Sequence, residues 1–215
     1  MGNTKIRRFT SCEALLSERG KNGNLIDADL MFVDISGLEF HNIDFSGAAM
    51  SGAIAKNTIF NNCRMEFTYC QDANFTEIKI VDSNLDNIHL QRINLSESVF
   101  KNCTLSSSSI LLSKLTRAKV SGCNLESSQI IESNLTSAIV ENCNLADCCF
   151  RASEIKDSKF ENCILNNCDF RKTAITEAQF INNETIDVLY YGKAPWDGKS
   201  NHKNWEEILH TFDGE

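Results

Sequence analysis

The chain is 215 residues long, 42% of them apolar, with a formal net charge of −8. That is enough apolar material for a continuous core, and a single proline with ten glycines excludes a collagen-like or disordered chain. No apolar run reaches the roughly 18 residues of a membrane-spanning helix, and the acidic balance disfavours direct nucleic-acid binding, which needs a basic patch.

Residues 1–24 carry five basic residues against Glu13 and Glu18, and contain Phe9, Leu15 and Leu16. They lack the long apolar stretch of a secretory signal, so the cytoplasm is the expected compartment. Ile6 stands where a myristoylation signal needs Ser or Thr. This stretch is expected to be an N-terminal cap that folds over Ile26, Met31 and Phe32, apolar residues at nominally outward positions just beyond it.

From Leu25 to Phe180 an apolar residue recurs at every fifth position without a slip, and among these 32 positions only Ala55 and Cys70 are not large. A second track two residues earlier is mostly small: Ala48, Cys63, Ala73, Cys103, Ser133 and Cys163 belong to it. A period of five fits neither the 3.6 of a helix nor the 2 of a strand. A chain that turns one residue inward per five winds as a coil, and stacked coils pair backbone with backbone.

Segments such as Ala73-Asn74-Phe75-Thr76-Glu77, Cys143-Asn144-Leu145-Ala146-Asp147 and Cys163-Ile164-Leu165-Asn166-Asn167 resemble the A(D/N)LXX unit of the pentapeptide repeat proteins. The resemblance covers residues 25–180. It implies an all-β fold, a right-handed quadrilateral β-helix with four pentapeptides per coil, hence about eight coils and, at roughly 4.8 Å per layer, a rod on the order of 40 Å long. Residues 20 apart should then lie above one another. Cys63, Cys103, Cys123, Cys143 and Cys163 share one such column, and Phe40, Phe60, Phe100, Phe160 and Phe180 share another. Thiols about 4.8 Å apart along an axis do not converge on a metal that needs four ligands at about 2.3 Å. They alternate with Ala and Ser, so they are read as small buried packing residues, and no metal or cofactor is expected. Cys12 and Cys149 stand apart, outside the repeats and at an outward position.

After Phe180 the period is read as ending, and residues 181–215 as a C-terminal cap or dimerisation segment. A short helix is expected near 204–212, with Asn204 as its cap and Glu207 returning the bond. Trp205, Ile208, Leu209 and Phe212 would form one apolar face. That face serves either as a lid on the last coil or, as the resemblance implies, as a homodimer contact. Asp197-Gly198-Lys199-Ser200 lacks the upstream glycine of a phosphate loop, and His41, His89, His202 and His210 have no partner at catalytic spacing. Nothing assembles a nucleophile, a base and an orienting group, so the chain is not expected to be an enzyme.

Residues 25–97 hold 11 acidic and 4 basic residues, whereas residues 98–180 hold nine of each. Resemblance to the quinolone-resistance branch of the family implies a non-catalytic mimic of duplex DNA that binds DNA gyrase or topoisomerase IV. Glu66, Asp72, Glu77, Asp82, Asp86 and Glu97 would carry that role. Glu66 with Asp86, and Glu77 with Glu97, form stacked like-charge pairs that cost stability, though on opposite sides of the square. The alternative is a protein-interaction scaffold or bacterial effector with a different protein partner, touching it through Leu111, Leu112 and Ile131 on adjacent coils, with Phe67 and Tyr69 as a second apolar group.

Overall fold

The structure is a computed structural model that describes residues 7–22, 24–196 and 203–204. Its local unit is a turn. The Leu25 carbonyl accepts the Ala28 amide at 3.1 Å across Ile26 and Asp27, and Asp27 has φ +53°. The same left-handed residue recurs every five positions, as at Asn57, Asn62, Asp72 and Asn87. That conformation disfavours most L-residues and is least costly for Gly, Asn and Asp, which explains how often those types occupy it.

Four turns close a square coil of 20 residues. Three-residue strands β1 (Glu39–His41), β2 (Ile59–Asn61), β3 (Lys79–Val81), β4 (Val99–Lys101), β5 (Lys119–Ser121), β6 (Ile139–Glu141), β7 (Lys159–Glu161) and β8 (Gln179–Ile181) stack in that order as one parallel sheet. Their register is 20 residues throughout, from Phe40↔Phe60 to Phe160↔Phe180. The other three walls are joined by parallel bridges in the same register, such as Asp44↔Arg64, Ala49↔Tyr69 and Ile54↔Asn74. In chain order the outward residue at the centre of each wall is 24, 29, 34 or 39 plus multiples of 20; an inward residue follows it, and then two corner residues. This is the all-β quadrilateral β-helix that the repeat implied.

Every inward position from Leu25 to Ile175 is buried, and Phe180 is half-buried against the core. Phenylalanines stack at both ends: Phe40 on Phe60 with centroids 5.3 Å apart, and Phe150 on Phe170 at 4.7 Å. Between Leu95 and Phe150 the inward residues are Leu, Ile and Val except Phe100, and they leave an apolar void of about 30 Å³.

The small-residue track does more than save space. Ser133 Oγ accepts the Ser113 amide at 3.0 Å and donates to the Ile110 carbonyl at 2.9 Å. Those are the two groups that would bond each other in a closed turn, so a hydroxyl from the next layer replaces the turn's own hydrogen bond. The cysteine column does the same: Cys143 Sγ accepts the Cys123 amide at 3.4 Å and donates to the Val120 carbonyl at 3.7 Å. The thiols there are hydrogen-bonding groups that satisfy buried backbone, a role that packing alone did not suggest.

The ends differ from expectation. Ile26, Met31 and Phe32 are not covered, and Phe32 is 74% exposed. All three are corner residues facing away from the axis. Instead Phe9 and Leu15, the latter on helix α1 (Cys12–Asn22), are buried in the same core as the first coil, and the Phe9 amide bonds the Asp29 carbonyl at 2.8 Å. At the other end the ladder runs past Phe180. Ile164 bridges Glu184 and Asp169 bridges Leu189, while Thr185 and Tyr190 continue the inward positions as buried residues. Strand β9 (Leu189–Tyr190) then pairs with β10 (Lys203–Asn204), so Asn204 lies in a strand. Trp196 packs edge-on against Phe180 and Tyr190. The rest of the expected helix near 204–212, with Trp205, Ile208, Leu209 and Phe212, lies outside the described residues.

Candidate functional site

Lengthwise counting of charge conceals how the coil distributes it around its axis. The edge between the first and second walls is made of residues 26 and 27 and their equivalents every 20 positions. It carries Asp27, Glu66, Asp86, Glu126, Asp147 and Asp187 and no Lys or Arg. The next edge has two acids against four bases, the third four against three, and the fourth three against one. A net −6 therefore runs along one edge, against +2, −1 and −2 on the others. From Asp27 to Asp187 is eight layer steps, about 38 Å.

The partners of these carboxylates sharpen the contrast. Asn167 Nδ2 donates to Asp147 at 2.9 Å, Asn144 Nδ2 to Glu126 at 3.3 Å, and the Ser106 amide to Asp86 at 2.8 Å. Neutral donors fix the carboxylates without cancelling their charge. Glu66 is different, because Arg64 pairs with it at 3.1 Å while also facing Asp44. Burial works against the Glu66 carboxylate, but hydrogen bonds from Arg64 and Ser46 outweigh it and hold it below the usual carboxylate range.

The acids singled out from the sequence are thus dispersed. Glu66 and Asp86 lie on the acidic edge, Asp72 on the second edge, Glu77 and Glu97 on the third, and Asp82 on the fourth. Three of the four outlying ones have cationic partners: Asp72 with Arg92 at 2.7 Å, Glu97 with Arg117 at 2.8 Å, and Glu77 with Lys56 at 3.7 Å. Asp82 accepts a bond from Asn102 at 3.0 Å. The stacked pairs are relieved by separate partners for each member. Asp27, Glu126, Asp147 and Asp187 were missed, although counting residues by their place in a 20-residue coil would have found them.

The apolar candidates fall around the second wall. Leu111, Leu112 and Ile131 do meet on adjacent layers, since the Leu112 amide bonds the Ile131 carbonyl at 3.0 Å. Of the three, Leu112 is exposed and the others are half-buried. Phe67 and Tyr69 are both about half exposed, and the Tyr69 ring stacks on His89 with centroids 4.6 Å apart.

Among the thiols, burial pushes Cys70 and Cys168 well up and Cys148 up to about 12, so these are not nucleophiles. Cys12 and Cys149 are part-exposed. No described helix is long and apolar enough to cross a membrane.

A family model described as pentapeptide repeats, in eight copies, matches residues 43–80, 73–110, 113–151 and 153–182. No curated protein matches the chain. Among solved structures, it is similar to a trypsin-treated, singly substituted form of QnrB1, a plasmid-mediated fluoroquinolone resistance protein, at 15% identity over 97% of this chain and 98% of that one, with a TM-score of 0.45. It is also similar to HetL, involved in heterocyst differentiation regulation in the cyanobacterium Nostoc sp. strain PCC 7120, at 14% identity over 90% and 100%, with a TM-score of 0.32. Rfr23 of the cyanobacterium Cyanothece 51142 aligns at 16% identity over 68% of this chain and 97% of that one, with a TM-score of 0.33.

Proposed function

The chain belongs to the pentapeptide repeat family, and from that premise we propose that it is a non-catalytic binding rod of the cytoplasm whose acidic edge occupies the DNA-binding surface of a basic protein. DNA gyrase or topoisomerase IV is the partner class proposed, with modulation of the enzyme or protection from quinolones as the outcome. The supporting observation is the acidic edge itself: six carboxylates over about 38 Å with no Lys or Arg at its corner positions. Glu66 among them has a cationic partner, Arg64 on the adjoining wall, while several are fixed by neutral donors. Such a ridge presents a negative potential to a positively lined groove and steers association with it.

The test is a supercoiling assay with purified gyrase, with and without a fluoroquinolone. The protein should inhibit or protect at micromolar concentration. Charge reversal at Asp86, Glu126 and Asp147 should abolish the effect, while reversal at Glu77 and Glu97 on another edge should leave it. Absence of any effect from the unaltered protein contradicts the reading.

A second reading is favoured by one observation. Leu112 is 55% exposed at a left-handed φ of +55°, beside half-buried Leu111 and Ile131. A scaffold or effector contacting a different protein through that corner would lose its partner on Leu112→Ser substitution and keep it on charge reversal of the acidic edge. Whether the segment holding Trp205, Ile208, Leu209 and Phe212 adds a homodimer contact is answered by the mass of a chain shortened at residue 200.

A further inference from the structure

The acidic edge is dilute compared with the molecule it would imitate. Six charges over about 38 Å are one per roughly 6 Å, whereas duplex DNA carries one per about 1.7 Å. Charge alone leaves the rod a weak competitor for a DNA-binding groove, so contacts that DNA cannot make must add to it. The edge itself carries such groups: Ile26 and Ile186 towards its ends and Phe67 within its run of carboxylates, all three exposed. At the left-handed corner positions of this edge the chain places Asp27, Gly47, Asn87 and further polar residues, with one apolar exception, Phe67, at φ +56°. A bulky residue is unfavourable in that conformation, and this ring is 54% exposed. Phe67 follows Glu66 directly and precedes Tyr69 by two residues. The Tyr69 ring lies parallel to His89 within 6°, while the residue bridged to it on the other side is Ala49, which offers no ring to cover the opposite face. Inward-facing Thr68 between them is buried and donates to the Phe45 carbonyl at 3.0 Å, so the two aromatic side chains are held on a rigid backbone.

We infer that Phe67 and the Tyr69–His89 platform form an apolar anchor continuous with the acidic edge, and that the partner surface is a basic protein segment with an aliphatic or aromatic side chain set among its Lys and Arg. The inference rests on the reading of the acidic edge as a protein-binding surface, and it names what that partner has beyond charge. Aromatic anchors flanked by charge complementarity are the usual carriers of affinity and specificity at protein interfaces.

Two synthetic peptides of equal charge separate the two ideas. One is oligolysine, and the other has the same number of lysines interrupted by Leu and Trp. Binding is measured by calorimetry at low salt for the unaltered protein, for Phe67→Ser/Tyr69→Ser, for Leu112→Ser as an apolar control elsewhere, and for Asp86→Asn/Glu126→Gln/Asp147→Asn. The unaltered protein should prefer the interrupted peptide by about tenfold or more. Phe67→Ser/Tyr69→Ser should lose that preference and retain its affinity for oligolysine, and Leu112→Ser should keep both. Equal affinities in the unaltered protein, or a preference that survives Phe67→Ser/Tyr69→Ser or disappears with Leu112→Ser, overturns the anchor. Loss of oligolysine binding in the edge-neutralised variant supports the acidic edge whether or not the anchor stands. Failure of the unaltered protein to bind either peptide overturns both.

Discussion

Asn183 completes the turn that ends at Cys163, one layer away: its Oδ1 accepts the Cys163 amide at 2.8 Å and its Nδ2 donates to the Phe160 carbonyl at 2.9 Å. Asparagine here repeats what serine and cysteine do higher in the rod. Below Ile43, the column Cys63, Ser83, Cys103, Cys123, Cys143, Cys163, Asn183 contains no alanine, and each of these members accepts an amide from the layer before it or donates to a carbonyl there.

Ser133→Ala should therefore destabilise the rod, since the Ser113 amide and the Ile110 carbonyl lose the hydroxyl that bridges them and must close on each other, as the Ala53 amide does on the Met50 carbonyl, or stay unpaired. A buried unsatisfied group costs about 1–3 kcal/mol, which lowers Tm by roughly 2–4 °C per kcal/mol in a domain of this size. Ser133→Cys should stay closer to the unaltered protein. Thermal melts of the two variants check this, and equal Tm values would show that the side chain acts only as filler.

The void between Leu95 and Phe150 makes a second prediction. At about 24 cal/mol per Å³, its roughly 30 Å³ corresponds to about 0.7 kcal/mol. Val140→Ile adds one methylene and should raise Tm by about 2–3 °C. Val140→Phe adds more than the void holds and should lower Tm, even though it would extend the phenylalanine column. A rise with Phe would mean that the space is larger or softer than described.

The period of five and the 20-residue stacking were legible in the sequence because the inward track tolerates no interruption: one inserted residue would turn every later side chain out of the core. The end of the coil was less legible. Thr185 and Tyr190 keep the inward phase with residues that break the apolar pattern, so the eye stops at Phe180 although the backbone goes on pairing. Ile26, Met31 and Phe32 are exposed although apolar, because the corner geometry, which hydropathy does not encode, fixes the direction of their side chains. The acidic edge was hidden by counting charge along the chain, where Asp86, Glu126 and Asp147 are far apart, instead of around the coil, where they align.

Stability should fall with acid in a way traceable to two carboxylates. Burial raises the cost of the charged forms of Glu66 and Asp169, yet hydrogen bonds from Arg64 and Ser46 to the first and from Arg171 to the second leave both below the ordinary range. With folded values below unfolded ones, their stabilisation is complete above the unfolded carboxylate range near pH 4 and is lost as pH falls through the lower folded values. Denaturation midpoints measured at pH 6 and pH 3 should drop for the unaltered protein and drop less for Glu66→Gln/Asp169→Asn. An equal drop would place the acid sensitivity elsewhere.

The central claim is that the acidic edge takes the place of DNA on a basic partner. Its most direct test is displacement of a fluorescent DNA duplex from purified gyrase, followed by anisotropy. The unaltered protein should release the duplex, less effectively as salt rises, and Asp86→Asn/Glu126→Gln/Asp147→Asn should release little or none at the same concentration. Equal release by both proteins, or binding to gyrase with the duplex still in place, would contradict the account.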